Sequence, residues 1–148
     1  MNLVFSSRVA RQHRPALEEL LFFNPGQFRV RAGIINSLEK FGHPQLVEAG
    51  ENLSVRIGEQ ETQTLFAYDR GLRDSAPVGV VVFLRTSPAE IAVIHVAVHA
   101  DYGLQGSHGD LGLGVLLVEK VKEIASRIVG VQRIIFFYRQ EVVIRLQA

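Results

Sequence analysis

The chemistry this sequence can offer is concentrated in thirteen residues, Tyr102-Gly-Leu-Gln-Gly-Ser-His-Gly-Asp-Leu-Gly-Leu-Gly114, which carry five glycines. Glycine permits positive φ and lets backbone N–H groups come close to a ligand, so such a run can cradle a phosphate. The same composition also suits a surface loop that binds nothing. The side chains that ordinarily titrate near neutrality are five histidines, His13, His43, His95, His99 and His108. None forms a helical H-x-x-x-H pair. His95 and His99 read as lying on one face of an extended strand about 13 Å apart, beyond the reach of one ion, so no metal site is expected. The chain has no Cys, which excludes disulfides, thiolate metal sites and a cysteine nucleophile. Ser54 and Ser107 have no partners arranged for nucleophilic catalysis.

These residues need elements to hold them. In Ile91-Ala-Val-Ile-His-Val-Ala-Val-His99 both alternating sets are largely apolar, which predicts a strand covered on both faces and central in its sheet. Beyond the glycines, Leu113, Leu116, Leu117, Val121, Ile124 and Ile128 make one helical stripe, with Glu119, Lys120, Lys122, Glu123 and Arg127 outside. Gly130 closes that helix, and Arg133 to Tyr138 reads as the next strand. The order strand, Gly-rich loop, helix, strand sets a helix N-terminus at the carboxyl end of a strand, a place that attracts phosphate.

The remaining elements follow from periodicity and punctuation. Leu3 to Phe5 opens a strand, and Pro15 to Phe23 a helix with Pro in its first turn, stopped at Asn24-Pro25-Gly26. A second helix is expected over Ala32 to Phe41. Strands are expected at Leu53–Ile57 and Thr64–Tyr68 around a Gly58–Gln63 turn, and Val78–Arg85 with Glu90–His99 predicts an antiparallel hairpin. Val142 to Leu146 is a last strand. No repeat or linker divides residues 1–148, so one domain is expected. Sixteen Lys and Arg against fifteen Asp and Glu argue against a basic nucleic-acid-binding surface. The first residues have the wrong order for a signal peptide, and no run approaches the ~18 apolar residues of a membrane span, so a soluble cytoplasmic protein without membrane or nucleic-acid partners is expected. Arg8, Arg11, His13 and Arg14 form a basic cluster that suits either a coenzyme or acidic partner, or a solvated face.

Ala97-Val-His-Ala-Asp-Tyr102, followed by Gly112-Leu-Gly-Val-Leu-Leu117, resembles the pattern of the GNAT N-acyltransferase superfamily, a strand ending in V-H-P-x-Y and then R/Q-x-x-G-x-G/A. The resemblance covers about Pro77 to Tyr138, and the preceding strand and two helices are compatible with that fold's order. It implies an α/β domain of the α+β type, with a mixed, mostly antiparallel central sheet flanked by helices. A shortened C-terminus is expected against that family, since ten residues follow Tyr138 where the family commonly adds a helix and a hairpin. A homodimer, through addition or exchange of the Val142–Leu146 strand, would cover the edge so exposed.

The resemblance further implies acyl transfer, with acetyl-CoA as co-substrate and a small-molecule or protein amine as acceptor. Backbone groups of Val96, Ala97 and Val98 would pair with the pantetheine arm, and amides of Gly109, Asp110, Leu111, Gly112, Leu113 and Gly114 would hold the pyrophosphate. His95 is the expected general base, its ordinary pKa of ~6.5 suiting proton transfer; its alternative role is that of a hydrogen-bonded core histidine. Glu90 is the second candidate. Tyr138 resembles the family's tyrosine that protonates the departing thiolate, against an ordinary packing or interface role. Two departures define the rival reading, a non-catalytic GNAT-like binding or dimerisation module. Gly109 stands where the pattern has Arg or Gln, and the loop after Tyr102 is longer than usual. In that extension His108 and Asp110 can face ligand or solvent, and Asp110 is also a good helix cap. A third reading is an unrelated α/β domain that binds another phosphate-bearing ligand at the same loop.

Overall fold

The protein is seen here as a computed structural model, which describes residues 3–22, 42, 44–58, 60–70, 76–102, 112–136 and 142–146. The helix expected over Ala32 to Phe41 lies outside the described residues. The elements are β1 (Leu3–Ser6), α1 (Arg14–Phe22), β2 (Pro44–Ala49), β3 (Asn52–Ile57), β4 (Gln60–Glu61), β5 (Gln63–Asp69), β6 (Gly79–Ser87), β7 (Glu90–Val98), α2 (Leu113–Ser126), β8 (Arg133–Phe136) and β9 (Val142–Arg145).

Six strands form the main sheet in the order β1-β5-β6-β7-β8-β9. Every neighbouring pair is antiparallel except β7 and β8, which run parallel because α2 carries the chain across the sheet between them. The mixed, mostly antiparallel sheet flanked by helices is the architecture that the family resemblance implies. The expected hairpin is β6 with β7, turning at Pro88-Ala89.

Each face of the sheet has its own core. On one face Leu17, Leu20 and Leu21 of α1, spaced as one helical stripe, pack with Val80, Val82, Leu84, Ile94 and Ala97. On the other, Leu113, Leu117, Val121 and Ala125 of α2 pack with Val81, Phe83, Ile91, Val93 and Ile134. β7 is therefore covered on both faces, as its doubly apolar pattern predicts. Burial of one such Val, Leu or Ile side chain contributes about 1.5–3 kcal/mol, so these two clusters dominate the stabilisation of the domain.

A second, three-stranded sheet, in the order β2-β3-β4, adds to the α1 side, where Leu53, Val55 and Ile57 of β3 join the α1 core. The sequence reading sets β3 and β5 on either side of a turn; both strands form, but in different sheets. β2 was not expected, since four of its six residues are exposed and give little periodic signal. It pairs with β3 along its whole length through a turn at Gly50, whose φ of 67° suits glycine. The N-terminal segment fastens this sheet in place, with the Leu53 N–H donating to the Val9 carbonyl at 2.9 Å and the Arg11 N–H to the Glu51 carbonyl at 2.8 Å.

Candidate functional site

The β6–β7 ladder is irregular at two places, at the start of β7, where Thr86 is skipped between Arg85↔Ile91 and Ser87↔Glu90, and in its middle. In the middle the ladder pairs Val82 with His95 and then Phe83 with Val93, so Ile94 is an extra residue, a bulge. The extra residue reverses the alternation beyond it. Ile91 and Val93 belong to the α2 core before the bulge, and Val96 and Val98 pack against that core after it, while Ala97 faces α1. On the other side, the parallel ladder with β8 is described from Glu90↔Arg133 to Val93↔Phe136, and β7 continues five residues past that last pair to Val98.

The N-terminus of α2 meets this far end of β7. Gly112, at φ 59° and ψ 46°, is its cap residue and supplies no side-chain hydrogen bond, and the first turn contains no acid. The orphan N–H groups of the first turn and the positive end of the macrodipole therefore have no anionic side chain of the helix itself to satisfy them. A Cβ added at Gly112 or Gly114 would meet no atom of the described residues within 4 Å.

Gly79 joins the two parts. It lies opposite Val98 in the β6–β7 ladder, and a Cβ placed on it would come within 3.1 Å of Leu117 Cδ1 and 3.2 Å of Leu113 Cδ2. Hydrogen bonds hold the turn that leaves β7: the His99 N–H donates to the Val78 carbonyl at 2.8 Å, and the Tyr102 N–H to the His99 carbonyl at 2.8 Å. The Tyr102 hydroxyl donates to Asp69 Oδ2 at 2.5 Å, and both residues are buried. Burial first, then the hydrogen bond to Asp69 and the charges of Asp69 and Asp101, push the Tyr102 phenol up to about 12, so it remains a donor at any ordinary pH.

Of the predicted site residues, Val96 and Val98 of β7 pack against the core that contains Leu113 at the start of α2, while Ala97 packs in the α1-side core. Gly109, Asp110, Leu111 and Tyr138 lie outside the described residues, as do Ser107 and His108. His95 sits opposite Val82, and cross-strand partners share a face, so it belongs to the α1 side. It is 7% exposed, and burial lowers its pKa to about 4, which leaves the imidazole neutral at physiological pH. His99 does not share its face. The strand ends at Val98, and the His99 ring packs edge-on to Tyr102 of the α2-side core, 6.5 Å between centroids. Its Nδ1 accepts the Asp101 N–H at 3.1 Å, so the proton of the neutral ring is on Nε2.

Glu90, the second candidate base, is at the opposite end of β7 from Val98. It accepts from Arg133 Nε at 2.8 Å and from the Thr86 hydroxyl at 2.8 Å, an arrangement that fastens the strand starts together. In the basic N-terminal cluster, Arg14 pairs with Glu18 at 2.8 Å and Glu48 at 3.8 Å, which ties α1 to β2. Sequence reasoning missed Asp69 and Gly79. Gly79 had a readable signal, a lone glycine within an apolar strand, which marks close approach by another backbone or element. Among the described residues, no group of three or more His, Asp or Glu is placed to hold a metal, and no helix is long and apolar enough to cross a membrane.

No protein-family model and no curated protein matches the chain. Solved structures do resemble it. An IAA acetyltransferase from Bacillus cereus is 19% identical with a TM-score of 0.47, over 91% of this chain and 65% of that one. A GNAT family acetyltransferase from Elizabethkingia anophelis, with acetyl-CoA bound, is 13% identical with a TM-score of 0.41, over 91% of this chain and 64% of that one. This chain thus spans just under two thirds of the length of both proteins. Likenesses this distant add no weight to a function, and the fold rests on the strand registers of the chain itself.

Proposed function

We propose that this chain is an acyl-CoA-dependent N-acyltransferase that moves an acetyl group from acetyl-CoA to a primary amine. The observation that carries the reading is the packing of the far end of β7 beside the first turn of α2, which holds no acid, two surfaces able to serve a long ligand with an amide arm and a pyrophosphate. In this reading the backbone of Val96 to Val98 pairs with the pantetheine amides. The N–H groups of Gly112 to Gly114, with those of Gly109 to Leu111, receive the pyrophosphate. The sequence resemblance at Ala97–Tyr102 and Gly112–Leu117 points the same way.

The reaction requires a deprotonated amine to attack the thioester carbonyl, with C–N bond formation, C–S bond cleavage and departure of the thiolate. His95 takes the proton of the amine and Tyr138 supplies one to the thiolate. With its pKa lowered to about 4, His95 is an acceptor throughout the neutral range, and the acid limb of its pH–rate profile belongs near that value rather than near 6.5. The absence of Cys and the ubiquity of reducing conditions in the cytoplasm suit action there. β9 is the edge strand of the described sheet, and a second copy adding a strand there would make a homodimer.

The burial of His95 favours one second reading, a GNAT-like binding or dimerisation module without turnover. A thermal-shift titration with acetyl-CoA, CoA and ATP separates the two when followed by an amine screen. A ligand at 100 times its Kd adds ~2.7 kcal/mol, which should raise the midpoint by several degrees for both coenzymes and not for ATP. Turnover that falls in His95→Ala and Tyr138→Phe supports the enzyme. Coenzyme binding without turnover leaves the module, and no shift with either coenzyme sinks the acyl-CoA reading.

A further inference from the structure

We infer that Gly79 is a positioning residue for the coenzyme site, setting the separation between the two surfaces that a CoA-type ligand must span. This rests on the acyl-CoA reading and names a residue that the sequence pattern does not. Gly79 is the position at which both surfaces touch one residue: its ladder partner is Val98, and Leu113 and Leu117 of α2 lie directly over it. With a hydrogen in place of a methyl, the first turns of α2 settle onto β6. A methyl there would stand 3.1–3.2 Å from Leu117 Cδ1 and Leu113 Cδ2, so these neighbours must give by a few tenths of an ångström, and because both leucines are fully buried that displacement is passed on to the first turns of α2 in this inference.

Gly79 is also in an ordinary position as far as its backbone is concerned. It is not among the glycines with positive φ, which are Gly42, Gly50, Gly58, Gly112 and Gly130 among the described residues. Conformational freedom therefore does not explain glycine here. Gly79 opens β6 and forms the end pair of both its ladders, where a glycine still weakens a strand relative to a β-branched residue, and the residues that follow, Val80, Val81 and Val82, are all valines. What glycine provides at this position is space under α2.

The shift demanded of α2 is small, but binding geometry is sensitive on this scale, since a 1 Å misplacement can cost about a hundredfold in function. An outward shift of the first turn moves the Gly112–Gly114 amides away from Val96–Val98 while both surfaces remain intact. Affinity for the whole coenzyme should then fall more than stability does.

The test compares Gly79→Ala with Ala125→Val. The latter overpacks the same buried face of α2 but acts in its last turn, about 18 Å from the first by helical rise. Both should lower the melting midpoint by several degrees. Calorimetric titration with CoA should show Kd raised about tenfold in Gly79→Ala and changed less than twofold in Ala125→Val. Gly79→Ala with Leu117→Val, which removes one of the opposing carbons, should recover most of the affinity and gives a second route if the single variant folds poorly. Equal loss of affinity in Gly79→Ala and Ala125→Val overturns the inference, as does wild-type affinity in Gly79→Ala or a folded double variant that does not recover. A wild-type protein that binds no CoA sinks the acyl-CoA reading itself, and the role of Gly79 with it.

Discussion

The two halves of β7 are made of the same kinds of residue and have different surroundings. Glu90–Val93 lies between β6 and β8, with a ladder on each side and an ion pair from Glu90 to Arg133 at its start. Ile94–Val98 keeps its ladder with β6 but runs beyond the last described pair with β8, past a bulge, to the first turn of α2. We read the first half as structural support and the second as the floor of the proposed cleft. Side-chain hydrophobicity does not distinguish them, because both are nearly all apolar; the bulge does.

If that division is right, damage to the first half should appear in stability and damage to the second in ligand affinity. The largest effect is expected from Ile91→Ala. Ile91 is 1% exposed, and truncation of a side chain so buried costs about 2–5 kcal/mol. Urea unfolding should show that loss while the folded fraction binds CoA with unchanged affinity. Weakened binding at full occupancy of the fold would mean that the halves are not separable.

A smaller effect concerns His95 at the junction. Its native pKa of about 4 lies below the ordinary value of 6.5, so between these two values the unfolded chain holds a proton that the native state lacks. Stability is therefore unaffected above pH 6.5 and is lost as pH falls toward 4, by at most about 3 kcal/mol, at 1.36 kcal/mol per pKa unit. Denaturant midpoints across that range should decline in the wild type and decline less in His95→Leu. Equal slopes would place the titrating group elsewhere. The smallest effect belongs to Glu90→Gln. Its partner Arg133 is partly exposed, and such a pair contributes less than about 1 kcal/mol. A large loss of CoA affinity in this variant would move Glu90 from the support to the cleft.

Much of the fold was legible because its periodic signals were strong. The α1 stripe of Leu17, Leu20 and Leu21, the α2 stripe of Leu113, Leu117 and Val121, and the β6–β7 hairpin all bury an identifiable face. β2 was not legible, because a mostly exposed strand has no apolar face to betray it and is held by backbone pairing with β3. The bulge at Ile94 was also hidden. In a strand apolar on both sides, a reversal of alternation leaves no trace in hydrophobic pattern, so the sequence reading put His95 and His99 on one face and the fold separates them. Of the segment expected to bind coenzyme, the strand before the glycines and the helix after them were legible.

The sequence by itself determined that a strand end, a glycine-rich loop and a helix start would come in succession, since local periodicity and turn residues specify elements and their order. It also determined the residue types available for chemistry, with no thiol among them. Only the tertiary structure decided that Gly79 stands under Leu113 and Leu117, that Tyr102 reaches Asp69 and that His95 is buried on the α1 side. Those are contacts between segments far apart in the chain, fixed by register and close packing, and no local pattern encodes them.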